Sequence, residues 1–249
     1  EFMKISVVLY LAALSSSPFK KKNRAFALNF GVFLAILAAA VVLLALQPNI
    51  STLGVIIVSA VITYFLAGTP VRQTLLIVAG GIAALFIFIK ISTYRFERFL
   101  VFLSPDIDPM GISYQVKQAL ITVGSGGLFG KGLGMSLQRF GFLPQPMADS
   151  IFAIFSEETG FIGGFVMIAL FMLLAWRGFL IGKRADNNFA KLTCFGLTSW
   201  IIFQAFVNMG AMLRLVPLTG IPLPFISFGG SALIAEFTAI GILLNISKQ

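Results

Sequence analysis

Apolar runs recur along almost the whole 249-residue chain, at about residues 3–16, 26–46, 51–67, 73–91, 150–176, 192–213 and 225–246. A bilayer core about 30 Å thick takes roughly 20 helical residues at about 1.5 Å each, so the longer runs are sized to span it while the first and third are short. The expected fold is all-α: a polytopic helical membrane protein with about seven transmembrane segments. Charged residues make up 11% of the chain and hydrophobic ones 58%. Soluble domains carry about 25% charged residues, so an ordinary soluble enzyme is excluded.

One long polar interval interrupts the runs. The chain reads as a single membrane domain over 1–249, with four spans in 1–91, a large extracytoplasmic loop in 92–149 and three spans in 150–249. Orientation follows from the short basic connections. One holds Lys20, Lys21, Lys22 and Arg24, and another holds Arg177, Lys183, Arg184 and Lys191. The positive-inside bias places both in the cytoplasm. Counting spans then puts Arg72 and Lys248 inside and 92–149 outside. That bias absorbs most of the excess of 18 Lys and Arg over 9 Asp and Glu, so no nucleic-acid partner is expected. The start, Glu1-Phe2-Met3, carries no cleavable signal pattern and reads as a cloning scar or the start of a fragment.

There is no histidine, which removes the commonest general base and zinc ligand and leaves acid–base work near neutral pH to carboxylates. The single cysteine, Cys194, lies in an apolar run and reads as a small packed hydrophobe. The stretch "LPQPMADSIFAIFSEETGFIGG" then stands out, because three of nine acids fall in it. Asp149 immediately precedes an apolar run, the place of a helix N-cap. The same place suits a general base at the membrane surface, beside a helix end whose free N–H groups favour a charged carboxylate.

Helical projection puts Ala153, Ser156, Gly160 and Gly163 on the face of Asp149, a small-residue stripe suited to close helix packing. Glu157 and Glu158 project elsewhere and lie about 12 to 14 Å further along. An acid at that depth is paired, protonated or facing water. An ion pair involving Arg214 or Glu236 is one explanation and a functional role the other.

Two irregular stretches complete the inventory. "GSGGLFGKGLG" with Lys131 offers an anion-binding nest, although it is not a P-loop. "LRLVPLTGIPLPFISFGGSA" concentrates Pro217, Pro222 and Pro224 before the last run and reads as a rigid turn or a cavity wall.

Several long motifs in one order, "QPNIS", "DPMGISYQ", "GSGGLFGKGLGMSLQ", "LPQPMADSIFAIFSEETGFIGG", "FQAFVNMGAM" and "PLTGIPLPFISFGGSAL", closely resemble the SEDS family of bacterial cell-wall polymerases (FtsW, RodA, SpoVE). The spacing "GLGMSLQRFGFLPQ" is closer to the FtsW and SpoVE branch. The resemblance covers nearly all of the chain and implies ten spans in the family, of which this chain lacks the first three. It implies a glycosyltransferase of the bacterial plasma membrane, in cell division or elongation, that polymerises lipid II with release of undecaprenyl pyrophosphate. Asp149 falls on the family's essential aspartate. Where the family has LPEAHTDF, this chain has Gln145, Met147, Ala148 and Ser150, and Asn49 replaces a usual aspartate.

Arg95, Arg98, Lys117, Lys131 and Arg139, or a divalent cation such as Mg or Mn, are the candidates to neutralise the leaving diphosphate. Ser125, Pro217, Pro222 and Ser231 are further candidates to line the substrate site. The implied partners are lipid II, membrane lipids, a class B penicillin-binding protein and other divisome or elongasome proteins. A lipid II flippase and a non-catalytic division scaffold are the competing roles. Cysteines introduced at positions 21 and 131 test the orientation: an impermeant thiol reagent applied from outside should label position 131 and spare position 21, and the opposite pattern would invert the topology.

Overall fold

The computed structural model describes residues 1–16, 23–46, 50–91, 93–104, 112–136 and 148–248. All regular structure among them is helical: α1 (Phe2–Ser16), α2 (Asn23–Leu46), α3 (Ile50–Leu66), α4 (Val71–Ile91), α5 (Thr93–Leu103), α6 (Ile112–Ser125), α7 (Ile151–Arg184), α8 (Asn188–Met212) and α9 (Gly230–Ile246). Seven of these fall on the seven apolar runs. The other two, α5 and α6, lie inside the interval read from sequence as a loop; they are 11 and 14 residues long and mix charge with apolar residues, so neither has the look of a span.

Among the described residues, α7 and α8, at 34 and 25 residues, are long and apolar enough to cross a membrane. The two differ in surroundings. The apolar window of α8 is 78% buried inside the protein and that of α7 only 22%, so α7 keeps most of its apolar surface for a surrounding medium.

The chain forms two compact units. The first comprises Glu1–Gly81, Leu174–Phe203 and Ser231–Gln249. Its core joins Val7 and Leu11 of α1, Phe33 and Leu37 of α2, Leu53, Ile56, Ala60 and Tyr64 of α3, and Ile77 of α4. The Phe33 and Tyr64 rings stack with centroids 4.3 Å apart. Small residues let α8 close in, since a β-carbon at Gly196 would run into Val8 and Thr63, and one at Gly178 would run into Thr198. Lys4 is buried, bonded to Glu1 at 2.7 Å and 5.5 Å from the Trp200 ring centroid.

The second unit, Ile82–Leu173 and Gln204–Gly230, is organised by a break in α7. Gly160 has φ 70° and ψ −167°, a conformation essentially reserved for glycine, so the helix ladder fails there. In an unbroken helix the N–H groups of Phe161 and Ile162 would donate to the carbonyls of Glu157 and Glu158. Instead, Phe161 donates to the carbonyl of Gly127 at 2.8 Å and Ile162 to that of Leu128 at 3.2 Å. The carbonyls of Glu157 and Glu158 accept from the N–H groups of Lys131 and Gly132, both at 3.0 Å. The glycine-rich loop is thus stitched into the gap, and all four displaced backbone groups are satisfied.

Two expectations change. The N–H groups of Lys131 and Gly132 are committed to α7, so they are not available as an anion nest. Gly160 serves the loop rather than a neighbouring helix, because a β-carbon on it would strike Leu128 and Gly130, and β-carbons on Gly126 and Gly130 would strike the backbone of Ser156 and Glu158. Gly160→Ala should therefore cost at least about 3 kcal/mol through strain and collision, seen as a large drop in thermal midpoint. Gly164→Ala, whose β-carbon would meet nothing nearer than 3.6 Å, should leave the midpoint unchanged or raise it by the helix preference of alanine.

Candidate functional site

Asp149 sits in the turn before α7 and is 7% exposed. The helix begins one residue later than its sequence position suggested: the carbonyl of Ser150 accepts from the N–H groups of Ala153 at 3.0 Å and Ile154 at 3.4 Å, so Ser150 occupies the cap. Asp149 is thereby released from capping.

Its backbone is held from two sides. Nδ2 of Asn208 donates both to the Asp149 carbonyl at 2.8 Å and to the Ile221 carbonyl at 2.7 Å. The Ser227 hydroxyl donates to the carbonyl of the preceding Ala148 and accepts from the Leu223 N–H. One turn earlier on α8, Nε2 of Gln204 donates to the Pro222 carbonyl at 3.1 Å. Gln204 and Asn208 share a helix face at i and i+4, and together they supply donors to the Ile221 and Pro222 carbonyls of a stretch whose prolines carry no N–H of their own. Sequence reasoning passed over Gln204, Asn208 and Ser227. For Gln204 and Asn208, amide side chains inside the apolar run "FQAFVNMGAM" were the available signal; nothing local marked Ser227.

Burial raises the Asp149 pKa above the ordinary carboxylate range, and this outweighs the lowering by its own and the Ser150 N–H groups, the Arg98 charge and the Ser150 hydroxyl. Its Oδ1 is buried without a hydrogen-bond partner among the described residues. Gly220 lies opposite, with room for a β-carbon 3.8 Å from Oδ2. A carboxylate with one oxygen unpartnered among the described residues, and held back from ionising by burial, is suited to taking up a proton.

Glu157, fully buried about 12 Å further along, belongs to a separate cluster. Its Oε1 receives Nζ of Lys131 at 2.6 Å and the Ser125 hydroxyl at 3.1 Å, and its Oε2 receives the Ser136 hydroxyl. Its counter-ion is the lysine of the glycine loop rather than Arg214. Arg214 donates instead to the Phe102 carbonyl at 3.1 Å. It also closes α8 in the left-handed conformation, φ 56°, where the Leu215 N–H reaches back to Gly210. Glu236 is buried in the other compact unit.

Of the remaining candidates, Arg98 donates to the Leu218 carbonyl at 3.1 Å and lines a small cavity with Arg214 and Pro217. Lys117 is exposed on α6. Ser231 is exposed on α9, in the other unit. Arg95 lies on α5 with its side chain outside the described residues, as are the whole of Arg139, Asp106 and Asp108. Among the described residues no three Asp, Glu, His or Cys side chains come together as a metal site.

The FtsW/RodA/SpoVE family model, described as "Cell cycle protein", matches residues 1–249. The chain belongs to the FtsW/RodA/SpoVE family. It is similar to "Stage V sporulation protein E" of Bacillus subtilis, 39% identical over all of this chain and 68% of that protein. It is 38% identical to the "Probable peptidoglycan glycosyltransferase FtsW" of Idiomarina loihiensis, over 87% of this chain and 54% of that one. Its structure is similar to a chain of a peptidoglycan synthase complex studied for coordination of polymerization and crosslinking, with TM-score 0.75 and 26% identity over 98% of this chain and 68% of that chain. The chain thus spans about half to two-thirds of these relatives' lengths. Both sequence relatives carry FtsW or SpoVE names, the branch to which the motif spacing pointed.

The family chain depends on the Lys131–Glu157 pair for more than surface charge, since the Glu157 side chain is 0% exposed and that of Lys131 36%. Lys131→Met should destabilise by about 3 kcal/mol, the low end for orphaning a buried charge because the lysine is partly solvated. Adding Glu157→Gln should restore most of that loss in thermal unfolding.

Proposed function

We propose that this chain carries the polymerising site of a peptidoglycan glycosyltransferase of the bacterial plasma membrane, with Asp149 as its general base. The observation that carries the reading is the Asp149 carboxylate itself: clamped through its backbone, buried, freed from capping by Ser150, and bearing an oxygen without a partner among the described residues. The names of its relatives support the reaction class.

The 4-hydroxyl of an acceptor N-acetylglucosamine attacks the anomeric carbon of the lipid-linked donor, and Asp149 takes the hydroxyl proton. The anomeric carbon–oxygen bond to the diphosphate breaks, and undecaprenyl pyrophosphate leaves. One displacement inverts an α-linked donor to a β1,4 product, so no enzyme nucleophile is needed. Among the candidate cations whose side chains are described, Arg98 is the one whose charge reaches Asp149, which favours it for neutralising the leaving diphosphate. Lys131 is engaged by Glu157. That pairing also speaks against the flippase reading, because Glu157 is closed off by Lys131, Ser125 and Ser136 instead of lining an open path. The crosslinking partner is a class B penicillin-binding protein, and the site faces outward.

Asp149→Asn in the full-length protein, assayed on lipid II with its penicillin-binding partner, should polymerise roughly 10² to 10⁴ times more slowly. Its thermal midpoint near pH 7 should be equal or higher. A raised folded-state pKa means that Asp149 contributes stability below its unfolded pKa, about 3.9, and loses it as pH rises through the raised value. The parent rate should climb with pH through that same raised value, and the variant should lack this limb. A variant that polymerises at the parent rate would remove Asp149 from catalysis.

A further inference from the structure

A cleft of about 460 Å³ opens where the last turns of α7 meet the end of α9, within the first compact unit. Arg177 and Arg184 line it together with Leu180, Ile181 and Leu244. Seven residues make almost two full turns, so the arginines stand on one face about 10 Å apart along the axis, with Leu180 and Ile181 between them. Among the described residues no Asp or Glu lines the cleft.

Basic residues at a helix C-terminus usually answer the helix dipole and the positive-inside bias. Those effects require only solvated charge near the end. They require no cavity, and the dipole fades beyond the last turn, whereas Arg177 stands two turns back. It lies 5.9 Å from the ring centroid of Trp176, which is itself exposed, and exposed tryptophans of spanning helices mark the membrane–water boundary. The cleft therefore combines two arginines on one helix face, an aliphatic wall and a place at the lipid boundary.

We propose that this cleft binds the phosphodiester headgroup of an anionic glycerophospholipid. Arg177 and Arg184 hold the phosphate through charge-assisted hydrogen bonds. Leu180, Ile181 and Leu244 pack on the glycerol and first methylenes, and the acyl chains continue along the open apolar surface of α7. The volume falls in the range of small-ligand pockets and suits a headgroup rather than a whole lipid.

The full chain, purified in detergent, is mixed with equal amounts of phosphatidylglycerol and phosphatidylcholine, and the retained lipid is counted by native mass spectrometry. Phosphatidylglycerol should be preferred. Arg177→Gln and Arg184→Gln should each weaken its retention on the order of fivefold and together roughly thirtyfold, the effect of about 1 kcal/mol per basic residue at a lipid surface. Lys183→Gln, which removes an adjacent exposed charge outside the cleft, should leave retention unchanged. Leu244→Trp, which fills the cleft with every charge in place, should abolish the preference. Equal loss with Lys183→Gln would reduce the effect to diffuse surface charge and overturn the site. So would displacement of the lipid by millimolar inorganic phosphate, retention in Leu244→Trp, or the absence of any preference.

Discussion

The second compact unit depends on an exchange of backbone hydrogen bonds at Gly160. A broken ladder in a membrane-spanning helix leaves N–H and C=O groups that water cannot reach, each costing several kcal/mol if unmet. The glycine-rich loop meets all four, with two carbonyls from Gly127 and Leu128 and two N–H groups from Lys131 and Gly132. The fit demands glycine on both sides, because β-carbons at Gly126, Gly130 and Gly160 would collide with the opposing backbone. Once the loop is seated, Lys131 is brought onto Glu157 and the hydroxyls of Ser125 and Ser136 complete the carboxylate's shell. A buried charge in a spanning helix is thus accounted for by the same loop that repairs the helix.

The same requirement explains the surroundings of Asp149. Pro217, Pro222 and Pro224 carry no N–H and interrupt any regular ladder, and the carbonyls of Ile221 and Pro222 are met by the side chains of Asn208 and Gln204. Asn208 reaches the Asp149 carbonyl with the same amide. Gln204 and Asn208 of α8 are therefore scaffold for the site, and the carboxylate is positioned through its main chain. Its own Oδ1 stays without a partner among the described residues. Burial then dominates over the nearby N–H groups and Arg98, which leaves an acid with a raised pKa where capping by the helix end alone suggested a firmly ionised one.

Helix content and the long apolar α7 and α8 were legible from run lengths, and the scarcity of acids and motif order drew attention to Asp149 as a candidate. The two short helices α5 and α6 were not, because a span is marked by length and uniform apolarity, and these have neither. The cap assignment missed by one residue, since Asp and Ser are both good caps and only the bonds from Ala153 and Ile154 choose between them.

Sequence by itself determined what had to be satisfied: which stretches are apolar enough to be helical in hydrocarbon, that Gly160 belongs to a stripe of small residues, and that Glu157 must be paired, protonated or facing water. Tertiary structure alone decided who satisfies whom. Lys131 and Glu157 are 26 residues apart and Asn208 and Asp149 are 59 apart. No local periodicity encodes pairings over such separations, because they arise only when the loop enters the gap in α7 and the proline-rich stretch folds beneath α8.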